Sequence, residues 1–135
     1  MSGYDKLTVG QHLSLEKSPI TTEQLVRYAG ASGDFNRIHY DEPFAKAGGF
    51  PSVIAHGMLT LGFFGELLGQ FVERGAEIKR LHSRFRAVTF PGDVIRCDAE
   101  VVAVDQVAQT VELSLRACKS DGTVTVEGGA TLCRK

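Results

Sequence analysis

An acid, an amide and an imidazole fall within six positions in ASGDFNRIHYDE, residues 31–42: Asp34, Asn36 and His39, directly after Ser32 and Gly33. The chemistry open to such a set is proton transfer. An imidazole with an ordinary pKa of about 6.5 takes or gives a proton near neutrality, and a carboxylate beside it can orient it or hold a water. A loop can aim all three side chains at one point. The competing reading is a polar loop in which the aspartate caps a turn and the histidine packs, and the residues alone leave both open. A second feature is AHGML at 55–59, where Gly57 opens an apolar segment. At a helix start its amide is one of the donors without an intrahelical partner, at the end of the dipole that favours negative charge. An enolate oxygen suits that place, and such a donor is worth roughly 3–4 kcal/mol of barrier when aimed at a developing oxyanion. A proton-transfer pair with an oxyanion donor is what adding water to, or removing it from, a double bond conjugated to a carbonyl requires. No serine or cysteine sits in a nucleophile elbow, and there is no HExxH or glycine-rich phosphate loop, so covalent hydrolysis and nucleotide chemistry lack a signal.

Those residues need elements to hold them. In TTEQLVRYAGAS, Thr21 followed by Gln24 fits a capping box, and Leu25, Tyr28, Ala29 and Ser32 share one helical stripe. Gly33 suits the left-handed residue that ends a helix, which leaves Asp34 to His39 starting in a loop. After the turn-like AGGFPS, the segment HGMLTLGFFGELLGQFVERG reads as a long helix. Its broad apolar face carries Leu61, Phe64, Leu67, Leu68 and Phe71, and Glu66, Gln70 and Glu73 gather on a narrower one. Gly62, Gly65 and Gly69 form a stripe between the two, each costing the helix about 1 kcal/mol relative to alanine, so close packing against the sheet or room for a ligand is expected there. The remainder alternates with period two. KRLHSRFRAVTF, VIRCDAEVVAV, TVELSLRACK and TVTVEGGATLC read as strands separated by turns, forming an antiparallel meander, with LTVGQHLSLEK as a further strand at the start. A long apolar helix beside one antiparallel sheet must be covered by it, which gives an α+β fold with the sheet curled around a central helix.

Composition sets outer limits. The 135 residues are enough for one buried core and are expected to form one domain, 1–135. A hydrophobic content of 43%, charged residues at 23% and a formal net charge of -1 without like-charge runs argue for a globular chain and against a nucleic-acid binder. MSGYDKLTVGQ has neither a basic start nor an apolar core, and no apolar run reaches the roughly 18 residues of a membrane span, so a cytoplasmic protein is expected. Cys97, Cys118 and Cys133 lie far apart with no metal-ligand spacing and are read as reduced, packed thiols; no metal site is expected.

Taken together, YAGASGDFNRIHYDEPFA and AHGMLTLG resemble the signature of the MaoC-like family of (R)-specific enoyl-CoA hydratases and 3-hydroxyacyl-thioester dehydratases. The resemblance extends from VGQ at 9–11 through RFRAVTFPGD to the terminal strands. It implies a single hotdog domain and substrates that are acyl thioesters of coenzyme A or acyl carrier protein. It also implies no further cofactor, and assembly as a homodimer or as a heterodimer with a paralogue. Carried over by position, Asp34 and His39 are the catalytic pair that activates water, Asn36 orders the loop or the water, and the Gly57 amide holds the thioester oxygen. Phe35, Met58, Gly62 and Gly65 are candidates for lining the acyl pocket. Which of Asp34 and His39 moves which proton stays open, since coupled groups need not have private roles.

Two positions depart from the family pattern. Arg37 stands where the motif usually has proline, which would loosen the loop or bring a cation near the carrier's phosphates. Gly65 replaces a hydroxyl residue found in some members. His56 reads as a structural histidine whose place before Gly57 sets the amide's aim. Arg80, His82, Arg84 and Arg86 read as a solvated sheet face in preference to a carrier-protein dock. Two other classes compete with the hydratase reading: a non-catalytic acyl-binding subunit of a heterodimeric dehydratase, and a hotdog acyl-CoA thioesterase.

Overall fold

The computed structural model describes residues 6–135; residues 1–5, where the leader signals were sought, lie outside the described residues. Strand β1 (His12–Glu16) is followed by helices α1 (Thr22–Ser32), α2 (Glu42–Ala47) and α3 (Gly57–Val72). Then come β2 (Ala76–Phe85), β3 (Arg96–Asp105), β4 (Thr110–Cys118) and β5 (Val124–Arg134). The five strands form one antiparallel sheet in the order β1-β3-β4-β5-β2. The consecutive hairpins of the expected meander are therefore β3-β4-β5, while β2 crosses to the far edge and pairs with β5, Phe85 opposite Val126. With α3 packed on the inner face, the sheet holding the helix is the hotdog arrangement, all on one hydrophobic cluster.

Alternation makes the inner face. In β4, Val111, Leu113, Leu115 and Ala117 are buried while Glu112, Ser114 and Arg116 point outward. Against them α3 buries Phe63, Phe64, Leu67, Leu68 and Phe71, with Leu61 half-buried. Helices α1 and α2 follow their caps. The Gln24 amide donates to Thr21 Oγ1 at 3.1 Å, and Gly33 closes α1 with φ 74°, its N–H on the Ala29 carbonyl. Asp41 caps α2 by accepting from the Phe44 amide at 3.2 Å, with Pro43 in the first turn. Replacing Phe64, which has no exposed surface, by alanine is expected to cost about 3–5 kcal/mol, seen as a lower urea midpoint at unchanged slope. A shift under about 1 kcal/mol would contradict this account of the core.

At the glycine stripe the close-packing alternative does not hold. A Cβ added at Gly62, Gly65 or Gly69 would meet nothing within 4 Å, because the stripe lies off the sheet-facing side of α3. Close approach occurs elsewhere, at Gly57 under the Phe85 ring and at Gly128 and Gly129 beneath His82. The cysteines are free, and burial pushes the Cys97 thiol up to about 12. No helix among the described residues is long and apolar enough to cross a membrane.

Candidate active site

The loop after α1 is built by its own side chains. The Asp34 amide donates to Ser32 Oγ, and Asp34 Oδ1 accepts from the Asn36 amide at 3.2 Å. Asn36 Oδ1 accepts in turn from Ile38 N–H and caps a short 3-10 turn, Arg37–His39. That turn carries His39 inward, leaving it only 8% exposed. Its Nδ1 lies 2.7 Å from the Ile54 carbonyl, and because a carbonyl only accepts, Nδ1 carries the hydrogen. The other nitrogen, Nε2, is left to face Asp34 Oδ2 at 3.8 Å. The Asp34 side chain is 53% exposed, so it stands at the open side of the pair.

Both groups line a cavity of about 430 Å³ that also reaches Gly57, Met58 and Phe85. Gly57 is the first residue of α3, and the residue before it, His56, makes no side-chain cap, so the first-turn amides are not claimed by the preceding side chain. A Cβ at position 57 would come within 2.9 Å of the Phe85 ring, so only glycine lets the helix start and that ring coexist at this wall.

His56 is 2% exposed. Its ring stacks on His39 with centroids 3.7 Å apart and planes 23° from parallel, and Tyr28 meets it edge-on at 4.7 Å. Its Nε2–H donates to the Asp34 carbonyl at 3.3 Å, and its buried Nδ1 has no hydrogen-bond partner among the described residues, a defect worth about 1–3 kcal/mol. Burial pushes this imidazole below its usual range; the Asp34 carbonyl bond opposes that and the neighbouring His39 adds to it. A histidine with a folded-state pKa below its unfolded value stabilises the fold above about pH 6.5, and that contribution is lost as pH falls through the folded value. Unfolding free energy is thus expected to decline on acidification below about pH 6.5, and less steeply in His56→Gln. Identical urea-derived slopes for the two proteins would contradict the assignment.

Ligand atoms of Asp34, His39 and His56 lie within 4.8 Å of one another. His39 Nδ1 is committed to the Ile54 carbonyl and His56 Nε2 to the Asp34 carbonyl, which leaves His39 Nε2, His56 Nδ1 and the Asp34 carboxylate as the remaining donor atoms of this group.

Of the residues singled out by sequence, Asp34, His39, Gly57 and Met58 line the cavity, and Asn36 builds the loop behind it. Phe35 is 60% exposed and, like Gly62 and Gly65, is not part of the lining. Thr60 and Phe85 are lining residues that patterning did not single out, and Arg86, read from alternation as part of a solvated sheet face, lines the cavity as well; Thr60 is one turn past Gly57, a spacing that could have signalled it. Arg37 tightens its turn: Nη2 and Nε bond Asp41 Oδ2 at 2.8 and 3.1 Å and the guanidinium lies 4.4 Å over the Phe44 ring. The Arg37 bond, then the Phe44 amide, holds the Asp41 carboxyl below the usual carboxylate range.

Residues 6–120 match a family model described as MaoC like domain. The (R)-specific enoyl-CoA hydratase of Aeromonas caviae is 32% identical over 127 residues, spanning 93% of this chain and 94% of the relative. The 3-hydroxyacyl-thioester dehydratase Z of Mycobacterium tuberculosis is 32% identical over 118 residues, 82% of this chain and 74% of that one. A solved structure of the (R)-hydratase from A. caviae involved in PHA biosynthesis superposes with a TM-score of 0.89 at 30% identity, covering 96% of this chain and 98% of the other. With the family model matched over most of its length and relatives of near-equal extent sharing its fold, the chain belongs to the MaoC-like family.

Proposed function

We propose that the protein is a hydro-lyase that hydrates trans-2-enoyl thioesters to (R)-3-hydroxyacyl thioesters and catalyses the reverse dehydration. The observation that carries this reading is the Asp34 carboxylate facing His39 Nε2 at 3.8 Å across a cavity that also holds the start of α3. That gap is too long for a direct hydrogen bond and suits a water touching both groups. In hydration the water oxygen bonds to the β-carbon, one of its protons passes to the Asp34/His39 pair, and the pair returns a proton to the α-carbon as the double bond is lost, which leaves the pair as it began. The Gly57 amide takes the thioester oxygen as negative charge builds on it, at the dipole end that favours charge of that sign. The (R) outcome is supported by the curated relatives named above. Acid/base chemistry of this kind asks nothing of a resident metal or redox group, and the acyl carrier is coenzyme A or acyl carrier protein. Met58, Phe85 and Val88 leave an exposed apolar rim at the cavity, which favours covering by a second copy, so a homodimer is part of the proposal.

The test follows loss of the conjugated enoyl-thioester absorbance when the purified protein meets crotonyl-CoA, a medium-chain enoyl-CoA and a crotonyl carrier protein, with chiral analysis of the product. Formation of the (R)-3-hydroxyacyl thioester supports the proposal. Release of free thiol without hydration, or no reaction with any of the three, overturns it.

A further inference from the structure

His56 contacts both members of the candidate pair yet has no place in the proposed proton transfer. Its ring face lies on His39, its Nε2–H reaches the Asp34 carbonyl, and its backbone leads directly into Gly57. Tyr28 from α1 also meets the ring, edge-on at 4.7 Å, so His56 packs against two elements. The Nδ1 atom left without a partner shows that hydrogen bonding alone does not account for a histidine here. A ring with one N–H does: the flat face meets His39 and the N–H meets Asp34.

We propose that His56 is a positioning residue that holds the His39 ring by stacking and the Asp34 backbone by its N–H, and so sets the gap in which the attacking water sits. This rests on the hydratase reading for its kinetic consequence but not for its geometry. The groups facing the stack are Asp34 from the loop, His39 from the 3-10 turn and Tyr28 from α1, with Arg86 after β2 lining the same cavity and paired to Glu127. A second positive charge on His56 would lie against His39, so the stack favours one protonated ring at most.

The two contacts can be separated. His56→Phe keeps a ring against His39 and loses the N–H; His56→Gln keeps an amide N–H and loses the ring; His56→Ala loses both. In the hydratase assay His56→Ala is expected to lower kcat about 100-fold with KM changed less than about threefold, each partial variant recovering part of the loss. The pH–rate profile and the His39 ring resonances, followed by NMR at one pH, are expected to shift most in His56→Ala and His56→Gln. Thermal unfolding of all variants shows which are folded, and His56→Phe and His56→Gln serve if the alanine form is not.

A wild type that is active, with folded variants keeping kcat within twofold and an unchanged pH–rate profile, overturns the positioning role. A wild type without hydratase activity whose His39 ring resonances still move on losing the ring upholds the positioning and fails the hydratase reading alone.

Discussion

Asp34→Asn and His39→Asn are each expected to lower kcat by about 10²- to 10⁴-fold while leaving a folded protein. Both changes are chosen to remove the proton-handling atom and little else. Asparagine at 34 retains an oxygen to accept from the Asn36 amide, and the position is half-exposed, so the loop is held as before. Asparagine at 39 places its amide nitrogen where Nδ1 donates to the Ile54 carbonyl, and it lacks any counterpart of Nε2. His39→Ala is the harsher version, since it leaves the Ile54 carbonyl unpaired beside a void and is expected to lose about 1–3 kcal/mol of stability as well. If both groups act on one water, removing the second adds little: Asp34→Asn/His39→Asn is expected to fall no more than about threefold below the worse single variant. Single variants retaining a third or more of the wild-type rate would sink the pair as the catalytic centre, and a fully additive double variant would mean that they serve separate steps.

Gly57→Ala is the second large effect, expected to reduce kcat/KM about 100-fold although it leaves the amide in the chain. The new methyl would sit 2.9 Å from the Phe85 ring, closer than carbon atoms approach, so the ring must move. Phe85 is 52% exposed and lines the cavity, so its movement redraws the wall beside the helix start. A displaced ring and a shifted first turn would both spoil the aim proposed for the amide at the thioester oxygen. Stability is expected to change little, because alanine favours the helix and the ring is only half-buried. The cause is isolated by a second substitution. Phe85→Ala alone is expected to raise KM by a few-fold through lost contact, and in Gly57→Ala/Phe85→Ala the activity is expected to recover about tenfold over Gly57→Ala. Recovery of that size ties the loss to the ring, whereas a double variant as poor as Gly57→Ala rules out the steric account.

Much of the site was legible in sequence because it is local. Thr21 and Gln24, Gly33, and the run from Asp34 to His39 are decided by hydrogen bonds that span a few residues, and these bonds form as the residue types predict. The buried face of α3 was legible for the related reason that one stripe of a helix must meet the sheet, and Phe64, Leu67, Leu68 and Phe71 do. Helix α2 carried its signal too, in Asp41 and Pro43, but its 6 residues are too short for periodicity to stand out.

What remained hidden depends on contacts between distant segments. Nothing in alternation says which strand a strand pairs with, so the passage of β2 to the edge beside β5 is a tertiary fact, and with it the arrival of Phe85 over Gly57. The glycine stripe on α3 could equally have faced the sheet or away from it, and only the packing of the phenylalanines and leucines turned it outward. Arg37 was read against the proline usual at its position, and what it does depends on the Asp41 carboxylate and the Phe44 ring that α2 brings beneath it. Local order alone thus determined the loop that presents Asp34 and His39, the residues proposed for proton transfer, and the helix that starts at Gly57. The tertiary structure decided which ring lies against which, from the 3.8 Å gap between Asp34 and His39 to the stack of His56 on His39, because those distances are set by how the loop, α1 and α3 pack together and not by spacing along the chain.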